Sequence, residues 1–233
     1  MKIANRIVVC LLGLGVLPVM IFRELVYGVV SISQSSSLYT ILQKFMKDKS
    51  MLDSAMEIKI SIREMLDYLQ NGKFNFGGMD FDLSKIPAEL LVTKNWLIAA
   101  AVLVAVAILV AIVVAGCALF TKAYKTMICM GAGGAICSFA AIKCFQKFAV
   151  PFLDGTIDIG ALLAKALIGD SDNFILSVGA AFLEKTISVD AFHIGSAVST
   201  MMIFFVAIAL WEIAFYVTLP EKDKPAKKLK KAA

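Results

Sequence analysis

The stretch that decides the reading is Trp96–Phe120, WLIAAAVLVAVAILVAIVVAGCALF, which carries no charge. As an α-helix it reaches about 37 Å, more than the hydrocarbon core of about 30 Å that a spanning helix must cross. A buried helix in a large soluble core is the competing explanation. It fits poorly, because uncharged apolar runs of this length are rare in soluble proteins. The chain around it agrees. Its 233 residues are 60% hydrophobic with a mean hydropathy of +0.83, a polytopic membrane composition with too little polar sequence for a large soluble domain.

Three further spans are expected. C-terminal to the first stretch, a short link at 121–125 leads to a span at 126–150, ended by Pro151. The last span covers 191–219 and stops at Pro220. N-terminal to the first stretch, residues 1–30 form a cytoplasmic start and an opening span. Met1–Arg6 followed by Ile7–Phe22 has the layout of a signal peptide, but Arg23-Glu24 replaces a cleavage site. The expectation is an uncleaved span continuing through Leu25–Val30, kinked at Pro18.

Two long connections separate the spans. In 31–95, apolar residues at Leu38, Leu42, Phe45, Leu52, Ala55, Ile58, Ile62, Met65 and Leu69 recur at helical spacing, which predicts an amphipathic helix over 38–70. Phe74–Phe81, around Gly77-Gly78, reads as an interfacial aromatic segment or a small hairpin. The 151–190 connection predicts two helices of about a dozen residues, too short to span and suited to an interfacial or re-entrant hairpin. Residues 220–233 form a basic tail. The expected fold is therefore all-α: an integral membrane four-helix bundle with amphipathic helical extracytoplasmic connections.

Charge gives the orientation. Lys2 and Arg6, Lys122 and Lys125, and the tail lysines fall on one side of a four-span chain, so the positive-inside rule assigns both termini to the cytoplasm. The plasma or cytoplasmic membrane is the expected location. Lys230 and Lys231, placed as in a dilysine retrieval signal, keep the endoplasmic reticulum as the alternative.

Few residues invite chemistry. Glu212 is the carboxylate deepest in an apolar run, and intramembrane charge is costly enough to be a functional candidate by default. Pairing with Lys122 or Lys125, or reaching to the interface, is its structural explanation. Lys143 and Lys147 stand near Asp154 and Asp158 across Pro151, as candidate interfacial charge pairs. Small residues at Ala107, Ala111 and Ala115, and at Gly131, Gly134, Ala135 and Ser138, predict close helix packing, most simply between the second and third spans. Self-association through the same faces is the alternative.

The five cysteines lie in or beside spans, and the lone His193 has no nucleophile arranged beside it, so no disulfide framework, metal site or cofactor is expected. Walker loops, HExxH and GxSxG are absent. No basic patch interleaved with aromatics suggests nucleic acid. The expected partners are the lipid bilayer and either further copies of the chain or other membrane proteins. The function expected is an accessory, scaffold or assembly subunit without catalytic activity. An oligomeric channel or small transporter using Glu212 and residues 157–185 is second, and an intramembrane enzyme last.

Overall fold

The computed structural model describes residues 2–32, 56–62, 74–76, 79–81, 91–120, 124–157 and 187–219. Among the described residues there are four helices: α1 (Lys2–Phe22), α2 (Leu91–Phe120), α3 (Tyr124–Leu153) and α4 (Ser196–Thr218). All four are long and apolar enough to cross a membrane. The strands are β1 (Glu24–Ile32), β2 (Met56–Ser61), β3 (Phe74–Phe76), β4 (Met79–Phe81) and β5 (Ile187–Ile194).

The helices pack as a ring in which α1 meets α2 and α4, and α3 meets α2 and α4. Their buried positions explain it. On α3, Tyr124, Met127, Gly131, Gly134, Ser138, Ala141, Phe145 and Phe148 are buried, stepping by alternating threes and fours. Ala100, Val104, Ala107, Ala111, Val114 and Ala118 do the same on α2. That seam is the signature of left-handed bundles, in which small residues let backbones approach. The opposite faces expose Leu109, Ile112, Ile136, Phe139, Ile203 and Leu210, an apolar coat suited to a hydrocarbon solvent.

The expectation of a helical bundle with four apolar spans holds, and the all-α part of it is corrected by a sheet. β1 is the centre of an antiparallel sheet ordered β2-β1-β5, with Tyr27 opposite both Lys59 and His193. The opening span does not continue through Leu25–Val30: α1 ends at Phe22 and those residues lie in β1. Glu24–Ile32, rich in Val, Ile and Tyr, favours the pleated conformation, and it pairs on both edges. The last span likewise starts at Ser196, because Ile187–Ile194 pairs with β1. Within the predicted 38–70 helix, Met56–Ser61 is a strand. The expected amphipathic helices at 38–55 and 63–70, the 158–186 connection and the basic tail lie outside the described residues. In the Phe74–Phe81 segment β3 and β4 pair antiparallel, with Phe76 opposite Met79. Pro151 does not end the third span, which runs on to Leu153.

Helix lengths set the shape. α2 and α3 have 30 residues each, against 21 in α1 and 23 in α4. Tyr124, opening α3, packs on Phe215 near the end of α4, so those ends are level. The surplus of α3 therefore projects at the opposite end, where the sheet sits against it. There Phe192 of β5 meets Phe145, Phe148 and Phe152 with ring centroids 5.3–5.9 Å apart.

Candidate functional site

Two arrangements stand out, one at each end of the bundle. At the end that holds the start of α1 and the end of α4, Glu212 is fully buried. Asn5 Nδ2 donates to Glu212 Oε1 at 2.9 Å, and Trp211 Nε1 donates to Asn5 Oδ1 at 2.7 Å. The order is forced. An indole N–H can only donate, so it claims the amide oxygen and leaves the amide nitrogen for the carboxyl group. Glu212 Oε2 has no hydrogen-bond partner among the described residues. The site can therefore accept one further donor, or a cation, at that oxygen.

The expected lysine partners do not supply it. The Lys125 ammonium lies over the Tyr216 ring, 5.8 Å from its centroid, and Lys122 is outside the described residues. Glu212 also points into the bundle rather than reaching to the interface. Asn5 is not among the sequence candidates because it lies before the apolar run that begins at Ile7. The available signal was an amide in the opening turns of an apolar helix, where polar side chains turn inward and bond across helices.

At the other end, the sheet is fastened to the helices it continues. Gly195 N–H donates to the Leu25 carbonyl at 2.7 Å, Ser196 Oγ donates to Glu24 Oε1 at 2.6 Å, and Arg23 Nη1 donates to Thr200 Oγ1 at 3.3 Å. A Cβ on Gly195 would collide with the Glu24 carbonyl, so only glycine admits this closeness. The Ser196 hydroxyl is the main reason that the Glu24 carboxyl titrates below its usual range. On the face away from Phe192, Tyr27 stacks on His193 with centroids 4.9 Å apart, and the Lys59 ammonium lies over Tyr27. Lys59 also pairs with Glu57 at 2.6 Å. This pairing lowers the Glu57 pKa and raises that of Lys59.

The remaining candidates fall elsewhere. Lys143 bonds Gln146 Oε1 at 3.0 Å, and Lys147 lies over the Trp96 ring at 4.3 Å. Asp154 accepts from the Thr156 N–H, which lowers its pKa. The expected pairing of these lysines with Asp154 is not formed, because each side is already engaged, and Asp158 is outside the described residues. α2 and α3 pack against one another, and the glycines make close approaches to other helices as well. A Cβ on Gly13 of α1 would touch Ala111 and Ala115, whereas one on Gly131 or Gly134 would meet Phe205 and Ala209 of α4. Ala107 is buried in the α2 seam, Ala135 is half-buried, and Ser138 spends its hydroxyl on the Gly134 carbonyl.

Among the described residues no group of three or more His, Cys, Asp or Glu side chains comes together as a metal-holding cluster. Compared with models of known families, with curated proteins and with solved structures, the chain matches none.

Proposed function

We propose that the chain is an integral membrane protein, with both termini cytoplasmic, that acts as an accessory or assembly subunit of a membrane complex rather than as a catalyst. The supporting observation is the tethered sheet. One face is held to α3 by the Phe192 cluster, and the chain ends of β1 and β5 are fastened by Gly195, Ser196 and Arg23. The other face offers Tyr27, His193, Lys59 and Glu57 from a rigid support. Preorganised aromatic and charged side chains lose little freedom on docking, which is how recognition surfaces gain affinity. Lys2, Arg6 and Lys125 at the other end support an orientation with this sheet away from the cytoplasm.

The test is the composition of the complex released in native-lipid particles. The expected result is a second protein in fixed ratio, lost when Tyr27→Ala and Lys59→Ala are combined. A chain that always emerges without company overturns the reading.

A channel or small transporter is the second reading, favoured by the buried Glu212 oxygen that has no described partner. Conductance or flux in reconstituted bilayers that changes with Glu212→Gln is its expected signature. Silence at every potential tested removes it.

A further inference from the structure

Among the described residues β2 is the end strand of its sheet, paired with β1 along one edge. An open edge is a template for another strand, and a single kind of charge on it prevents such pairing. β2 carries something different. Its sequence, Met56-Glu57-Ile58-Lys59-Ile60-Ser61, puts one negative and one positive side chain on the same face, two residues apart and both exposed. That pattern is its own complement. In an antiparallel pair centred on Ile58, Glu57 stands opposite the second copy's Lys59, and Lys59 opposite the second copy's Glu57.

The register is specific. Side chains stay on their own faces only if the strands slip by an even step. Centring the pair on Glu57 sets carboxylate against carboxylate, and centring it on Lys59 sets ammonium against ammonium. Directly opposed like charges destabilise a ladder and opposite charges stabilise it, so the Ile58-centred register is the one that the charges select. A two-fold axis satisfies both charge pairs at once, as an isologous interface requires.

We propose that β2 is a self-association edge, along which two copies of this chain pair antiparallel about Ile58 and join their sheets. The proposal rests on the assembly reading for the exposure of the sheet, and names a second copy of the chain as one partner.

The experiment uses the full chain in detergent micelles, where orientation is unconstrained, with donor and acceptor dyes on the C-terminal tails. Glu57→Lys alone and Lys59→Glu alone are each expected to weaken energy transfer between copies by about tenfold, because each opposes like charges twice. Mixing the two variants is expected to restore transfer to the wild-type level, since every cross-strand pair is again of opposite sign. The Glu57–Lys59 pair within a strand is broken in both variants, so mixing cannot repair an effect that acts through it. A mixture no better than either variant alone overturns the proposal, as do single variants that associate like the wild type.

The register has its own check. Ile58→Cys is expected to form a disulfide-linked dimer under mild oxidation, because the two Cα atoms face one another at about 5 Å. Ile60→Cys is expected not to, because its counterpart lies four residues along the partner strand, about 13 Å away. Equal cross-linking of both, or of neither, overturns the register. Failure of these tests leaves the assembly reading standing, whereas success without any foreign protein in the purified complex replaces that reading with self-assembly.

Discussion

Asn5 and Glu212 lie 207 positions apart in sequence, yet one hydrogen bond joins them. Their link closes the ring between the first and last helices, a seam that no short loop enforces. Its worth is measurable. Asn5→Leu leaves the Trp211 N–H and the Glu212 carboxyl group without their amide, and is expected to cost about 1–3 kcal/mol of stability. Glu212→Leu strands the Asn5 amide and is expected to cost a similar amount. The double variant is expected to cost clearly less than the sum, because no partner is left stranded. Thermal unfolding of the four proteins in one detergent gives the coupling. Strict additivity would mean that the bond does no work between the helices.

Among elements, the α3–α4 seam depends on absent side chains. A Cβ on Gly134 would overlap the Phe205 ring, while one on the adjacent Gly133 meets nothing within 4 Å. Gly134→Leu is therefore expected to lower stability by about 1–3 kcal/mol, and Gly133→Leu to leave it nearly unchanged. Melting temperatures of the pair of variants test this, and equal losses would refute the close approach.

The joint between β1 and α4 is expected to respond to pH. The Glu24 pKa is lowered from its usual 4.5, chiefly by the Ser196 hydrogen bond. A carboxyl group with a lowered folded pKa favours folding above its unfolded value, and that contribution is lost as pH falls through the folded value. Stability is therefore expected to drop below about pH 4.5 more steeply in the wild type than in Ser196→Ala. Unfolding followed from pH 6 to pH 3 reads the difference, and identical profiles would show that the bond does not hold the joint.

At the scale of the whole molecule, the unequal helix lengths create a shelf on which the sheet rests. Phe192 fills the space between β5 and the projecting turns of α3. Phe192→Ala is expected to cost about 3–5 kcal/mol locally. Because Phe192 sits where β5 meets α3, the loss is expected as faster amide exchange in β1 and β5, with the α2 amides still protected. Uniform acceleration throughout would mean that sheet and bundle unfold as one unit.

Much of this molecule could be read before it was folded. The uncharged run Trp96–Phe120 requires a helix long enough to cross a bilayer, because a backbone in hydrocarbon must satisfy its own hydrogen bonds. The other apolar runs require three more, and their small residues require close packing somewhere. Met56–Ser61 was legible too, since its strict alternation is a strand signal, but the longer helical stripe that includes Ile58 and Ile62 outweighed it.

Other features had no local signal strong enough to decide them. Leu25–Val30 is apolar enough to extend a span. Its valines and tyrosine allow a strand, and β2 and β5, from distant parts of the chain, decide it by offering two ladders. Glycine spacing announces a close approach without naming the neighbour, and packing alone chose α4 for Gly131 and α1 for the alanines of α2. The partner of Glu212 is likewise a matter of which helices become neighbours. Sequence by itself determined the helices, because solvent and backbone act on every residue locally. The tertiary structure alone decided the pairing of the sheet, the seams and the Asn5–Glu212 bond, because each depends on contacts between segments that local chemistry cannot pair.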